Sequence, residues 1–343
     1  MTLTLGLDVG GAHLKAALIG SGEPRAVHQV ACPLWQGMDQ LDAALATVRR
    51  LLPAPDRVAV TMTGELSDLF PDRDHGVEAL VRRLQDEHGA KARFWMGRAG
   101  FGSDEQARAR PGDVGSTNFL ATAVLIGSRL SDALLVDLGS TTTDVIAIRD
   151  RAPVPRGLRD AERQTTGELV YTGFTRTSVA SVASRTPWRG QWLGLAREHL
   201  ATMADVRRIL GELPDGVDLH ATADGKGKSR AESLARFARL LGSDAGDAPE
   251  ADWLIPATYV RERQMRSIHD GVLQVLSAAA LPPDAPIVAA GIGWNAIAAL
   301  SLRMGRICRT FASLIGAPQQ VAEAANHCAP AVAVALLLEA GDG

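Results

Sequence analysis

The sequence predicts an α/β protein whose two similar halves face one cleft, and three glycine turns carry that prediction. LTLGLDVGGAHLKAA (Leu3–Ala17) is an apolar strand that ends at Asp8, turns through Gly10 and Gly11, and resumes as apolar sequence with Lys15 in it. LVDLGSTTTDV (Leu135–Val145) repeats the scheme: strand, Asp137, then Gly139, Ser140, Thr141 and Thr142 before the chain turns apolar again. IVAAGIGWN (Ile287–Asn295) is a third turn, leading into the apolar run Ala296 to Leu300.

Each turn suits phosphate for a stated reason. A strand that delivers a carboxylate to a Gly-Ser-Thr turn presents backbone N–H groups and hydroxyls to phosphate oxygens, and the acid beside them can hold a divalent cation or take a proton. The alternative for the central turn is an ordinary hairpin capped by Asp137. A second copy far away in the sequence favours the phosphate reading. At the third turn, small residues let backbone approach a ligand closely, and the following helix points its positive end there.

In this order the three turns resemble the phosphate-one, phosphate-two and adenosine motifs of the actin, sugar-kinase and Hsp70 superfamily. Asp137 to Asp144 is similar to the hydantoinase/oxoprolinase branch. TMTGELSD (Thr61–Asp68), TNFLAT (Thr117–Thr122), TTGELV (Thr165–Val170) and TADGKGKS (Thr222–Ser229) resemble the family linked to tetrahydromethanopterin-dependent one-carbon metabolism. The likeness covers almost the whole chain.

It implies two actin-like (ribonuclease H-like) domains with mixed sheets flanking a central cleft. The expected domains are 1–125, and 126–343 with an inserted substrate region at about 151–250. The implied activity is a transferase of methanofuran or methylofuran biosynthesis. A phenol oxygen of a tyramine- or tyrosine-type acceptor displaces diphosphate from an aminomethylfuran-methyl diphosphate. Asp8 and Asp137 would hold Mg²⁺ between them, and Lys15 would place a charge on a phosphate oxygen. Asp137 or Glu65 would take the phenol proton. A hydroxyl often follows the double glycine in sugar kinases, whereas Ala12 and His13 stand here. That departure removes one phosphate contact and weakens simple ATP hydrolysis. ATP is therefore allowed but not required; an ATP-dependent hydrolase or kinase is the alternative, and a non-catalytic nucleotide-binding regulator a third.

Composition sets the outer limits. At 343 residues the chain is long for one core, so two domains are natural. A net charge of −3 gives no broad field to recruit nucleic acid or anionic membrane. Three isolated cysteines, Cys32, Cys308 and Cys328, argue against a disulfide framework or zinc site and fit a reducing cytoplasm. No basic n-region precedes the first strand, so no secretory leader is expected. The run Ala329 to Leu338 is too short to span a bilayer. The oligomeric state stays open, with a homodimer allowed.

Along the chain, Asp39 to Leu52 has helical spacing and stops before Pro53, and Arg57 to Met62 is a strand delivering Glu65 and Asp68. These acids either cap the next helix or face the cleft; a βα junction beside the first turn favours the cleft. Gly76 to His88 reads as helix and Arg93 to Met96 as strand. Ser116, Thr117 and Asn118 open a helix that crosses between halves, where Ser116 and Asn118 suit caps and Asn118 is also a candidate substrate contact. Asp150 to Thr166, with Pro153 and Pro155, reads as loop or edge. Thr166 and Glu168, followed by Tyr171 and Arg176, form either a recognition loop or an N-cap. Glu198 to Leu210 is helical. Lys226, Lys228 and Arg230 lie in a glycine loop that is either solvated or closes on a diphosphate. Trp253 to Leu281 is one long helix. Gly291 and Trp294 of the third turn are candidate substrate contacts, Trp294 by stacking on an aromatic ring.

Overall fold

The computed structural model describes residues 2–341; residues 1, 342 and 343, the outer limits of the expected domains, lie outside it. Six strands form the first sheet: β1 (Leu3–Val9), β2 (His13–Gly20), β3 (Glu23–Ala31), β4 (Arg57–Met62), β5 (Ala92–Trp95) and β6 (Phe101–Gly102). Their spatial order is β3-β2-β1-β4-β5-β6. The β1–β2 hairpin is antiparallel, whereas β4 lies parallel to β1 on its other side. Helices Asp39–Leu51 and Arg73–His88 supply the crossovers that parallel strands require.

The second sheet repeats that plan. β7 (Ala133–Leu138) and β8 (Thr143–Arg149) form its hairpin, with short β9 (Ala152–Pro153) and β10 (Leu169–Val170) pairing with β8. After an insertion that includes the hairpin β11 (Arg185–Trp188) and β12 (Gln191–Gly194), strands β13 (Ile287–Ala290) and β14 (Cys308–Thr310) join parallel to β7. In β7 all six residues are buried, which explains why the segment reads as a continuous apolar run rather than an alternation.

Two helices join the halves. Asn118–Arg129 leads from the first sheet into the second, and Ala329–Ala340 returns to pack across β1, β2 and β4. One apolar core spans both: Ala17, Ile19 and Ala59 of the first sheet and Leu135, Ile146 and Val288 of the second meet these helices. Helix Ala329–Ala340 comes so close to β1 that a Cβ on Gly6 would sit 1.9 Å from the Ala331 carbonyl oxygen. Its alanines, including Ala331, Ala333 and Ala335, are buried and let the backbones approach. Among the described residues no single helix is long and apolar enough to cross a membrane.

Three local readings change. The chain continues past the first hairpin into β3, which widens the sheet by a strand. Asp160–Thr166, read as loop or edge, is a helix closed by Gly167 at φ 78°. Glu198 to Leu210 is helical only over Met203–Ile209.

Candidate active site

Both hairpins end their first strands at one cleft of about 600 Å³. Asp8 is 2% exposed and Asp137 8%. The strand registers set what faces each acid: Lys15 lies opposite Asp8, and Asp144 occupies the corresponding place opposite Asp137. The two hairpins are thus alike in backbone and opposite in charge. Lys15 Nζ is 3.2 Å from Asp8 Oδ2. Asn118 Nδ2 donates to Asp8 Oδ1 at 3.5 Å, while its Oδ1 accepts from the Phe119 amide. Asp144 pairs with the buried Arg163, whose guanidinium lies 3.6 Å from the Phe119 ring centre.

The turns are shaped for anions. The amide of Gly10 donates to His13 O at 2.9 Å and that of Gly139 to Thr142 O at 3.0 Å, which fixes each loop. The amides of Gly11, Ser140 and Thr141 find no acceptor among the described residues. Arg176 Nη1 donates to Thr141 Oγ1 at 3.1 Å and its guanidinium lies over the Trp35 ring, 4.9 Å from its centre. Among the described residues Arg176 has no carboxylate partner, unlike Lys15 and Arg163.

Burial pushes the Asp137 carboxyl up to about 7; Lys15 opposes the shift, and Asp144 and Asp8 add to it. For Lys15, burial favours the neutral amine, but Asp8 and then Asp137 outweigh it and hold the ammonium charged. Among the described residues no group of three acidic, histidine or cysteine side chains could cage a metal. Mg²⁺ needs no such cage: one or two carboxylates suffice when phosphates and water complete the shell. Asp8 and Asp137, both lining the cleft, suit it on that basis.

Most of the expected residues converge here. Asp8, Lys15, Asp137 and Asn118 line the cleft with Gly10, Gly11 and Asp68, and the second turn adds Gly139, Ser140, Thr141 and Thr142. Others are placed elsewhere. Glu65 is 1% exposed behind the wall, where it accepts from Ser116 Oγ at 2.6 Å and faces Arg73 at 3.7 Å. Glu168 is buried and accepts from the amides of Arg156 and Gly157, and Thr166 Oγ1 donates to it at 2.9 Å. These two hold a loop together rather than face a ligand. Lys226 is exposed, Lys228 Nζ donates to Asp218 O at 2.6 Å, and Arg230 pairs with Glu250. Their loop is pinned to the insertion by Arg236, which bonds Gly227 O and Asp205.

Gly291 backs the cleft without lining it. Its φ is 80°, and a Cβ there would lie 2.4 Å from Asp137 Oδ1. Trp294 packs with the apolar side chains around Ile297 and Leu300 under the second sheet, so it offers no ring to the cleft. The expected caps at Ser116 and Asn118 are absent: Thr117 is the cap position, and its hydroxyl donates back to Val114 O at 2.9 Å instead of accepting from the helix. Sequence reasoning assigned no site role to Trp35, His13 or Arg176, and all three line the cleft. Two of them carried a signal: His13 stands where a hydroxyl was expected, and Arg176 follows the stretch read as either a recognition loop or an N-cap.

Two sheets, each a hairpin flanked by parallel strands, with an acid at the end of each first strand, make an actin-like α/β fold. A nucleotide-free acetone carboxylase shares the fold, with a TM-score of 0.51 and 12% identity over 85% of this chain and 66% of that one. The hydantoinase/oxoprolinase profile matches residues 56–277, and the chain belongs to that family. Within it, the chain is 32% identical over 243 residues to the (4-{4-[2-(gamma-L-glutamylamino)ethyl]phenoxymethyl}furan-2-yl)methanamine synthase of Methanocaldococcus jannaschii, covering 71% of this chain and 72% of that protein. The synthase of the same name from Methanococcus vannielii is 31% identical over 113 residues, 33% of this chain and 50% of that one.

Proposed function

We propose that this chain is a transferase that joins the phenol oxygen of a tyramine- or tyrosine-type acceptor to the methylene of an aminomethylfuran-methyl diphosphate. In this reading it serves methanofuran or methylofuran assembly for one-carbon metabolism. The kinship with the archaeal synthases supports this, because the product in their name is a phenoxymethyl furan, the ether such a transfer makes. The observation that carries it is that Lys15 and Arg176 line one cleft, Arg176 half-buried and, among the described residues, without an acid partner, beside turn amides that find no acceptor among those residues.

A diphosphate leaves with the electron pair of its carbon–oxygen bond, so the groups that matter most receive growing negative charge. Lys15, Arg176 and the amides of Gly11, Ser140 and Thr141 are placed for that. Asp8 and Asp137 would hold Mg²⁺, which supplies further charge neutralisation when bound. The furan stabilises the electron-poor methylene, and the phenol oxygen bonds to it as the diphosphate departs.

Incubation with the furan-methyl diphosphate, tyramine and MgCl₂, followed by mass spectrometry for the ether, tests the reading. Ether together with free diphosphate is the expected result. Steady ADP release from ATP without any furan substrate, and no ether from any phenol, would replace it with an ATP-dependent hydrolase or kinase.

A further inference from the structure

His13, Trp35 and Arg176 line one end of the cleft, and His220 packs against the first two from outside its lining. His13 opens β2, Trp35 lies in the short helical turn Leu34–Gln36, Arg176 follows β10, and His220 comes from the loop between helices Met203–Ile209 and Arg230–Leu240. The His13 and His220 rings stand edge to face with centres 4.6 Å apart, and the Trp35 and His220 rings are 5.4 Å apart. The insertion thus reaches across to the first half, where Gln29 Nε2 also donates to Val217 O at 3.5 Å.

Two details bear on what this cluster can bind. His13 is 4% exposed and lines the cleft, with Nδ1 3.4 Å from Ser140 Oγ, yet its Nε2 has no hydrogen-bond partner among the described residues. The Nε2 of His220 is also buried and unpartnered. Leaving such a nitrogen unpaired is costly, and apolar side chains would fill the same space without that cost. A planar ring that carries a hydroxyl answers both features: the ring packs against Trp35 and the imidazoles, and the hydroxyl meets a nitrogen.

Building on the proposed transferase reading, we infer that Trp35, His220 and His13 form the subsite for the aromatic acceptor, and that His13 is the catalytic residue that takes the phenol proton. The phenol O–H bond breaks and its proton passes to the imidazole. The oxygen's electron pair bonds to the furan methylene, and the carbon–oxygen bond to diphosphate breaks with its pair on the diphosphate. Charge and atoms balance, since the proton on His13 passes to the departing diphosphate or to water.

Burial, reinforced by His220, Lys15 and Arg176, keeps His13 neutral and so able to accept a proton. A bound diphosphate offsets the two cationic contributions and strengthens the base when it is needed. Of the two carboxylates expected in this role, Glu65 lies behind the wall, and Asp137 lines the cleft where this reading gives it to Mg²⁺.

Two measurements test this. In the first, tyramine is titrated calorimetrically into protein holding MgCl₂ and inorganic diphosphate. Wild type should bind, and W35A should bind about tenfold more weakly, as the loss of one ring contact implies. Equal binding by both, or none by wild type, overturns the subsite. In the second, ether formation by wild type and H13Q is compared with tyramine and with 3,5-difluorotyramine, whose more acidic phenol needs less help from a base. H13Q should lose about 10²-fold in turnover with tyramine and recover at least a tenth of it with the fluorinated acceptor. An equal loss with both acceptors overturns the proton transfer. If wild type makes no ether from any phenol, the transferase reading falls and the role of His13 falls with it, while the titration still decides whether the subsite binds a phenol.

Discussion

Lys15 and Arg176 face the same cleft in different circumstances: Lys15 is already paired with Asp8, whereas the Arg176 guanidinium meets the Thr141 hydroxyl and the Trp35 ring and, among the described residues, no carboxylate. Removing Arg176 therefore leaves no carboxylate unpaired, and R176A should fold normally by circular dichroism. It should lose about 10²-fold in kcat/KM for the diphosphate substrate, the scale of one lost charge-stabilising donor, with partial recovery in R176K. Asp137 gives a complementary test. If it helps hold Mg²⁺, MgCl₂ should raise the melting temperature of wild type and not of D137N. His220 sets an acid limit. Burial, followed by the charge of Arg176, lowers its pKa to about 4, below the roughly 6.5 of an unfolded histidine. The unfolded chain then binds protons that the folded chain refuses, so the contribution of His220 is present above the unfolded value and is lost as pH falls through 6 toward 4. H220Q should show a smaller drop in melting temperature between pH 7.5 and 5 than wild type.

Elements differ in how openly the sequence announced them. The two hairpins were legible because an apolar run ending in Asp-x-Gly leaves few alternatives, and Asp39–Leu51 was legible from its spacing and the proline beyond it. Helix Asp160–Thr166 was not, because its start rests on Glu162 bonding back to the amides of Leu158 and Arg159, which prolines nearby made look like loop. The phosphate turns were found for the same reason as the hairpins. The lysine loop misled because charge alone does not say where a loop is anchored; Arg236 bonds Gly227 O and Asp224 of this one, and its cations do not line the cleft. Trp35 and His220 reach the site only through tertiary folding, so no spacing could mark them, whereas Arg176 followed a stretch already read as either a recognition loop or a cap. Helix Ala329–Ala340 looked like a mere apolar run, yet Gly6 is the mark of where it lies. G6A would drive a methyl into the Ala331 carbonyl and should cost about 2–3 kcal/mol in urea unfolding, with no change in the residues of the cleft.

For the molecule as a whole, the core shared by both sheets is the controlling fact. Two halves joined only by a hinge would unfold separately, whereas a continuous core couples them. Urea unfolding followed by tryptophan fluorescence and by circular dichroism should give one coincident transition. Separate midpoints would show that the shared core contributes little. The return of helix Ala329–Ala340 to the first sheet has a further consequence for a chain made from one end. While a ribosome is still extending the polypeptide, β1, β2 and β4 have emerged but their covering helix has not. The nascent first half therefore carries an uncovered apolar face until that helix has emerged.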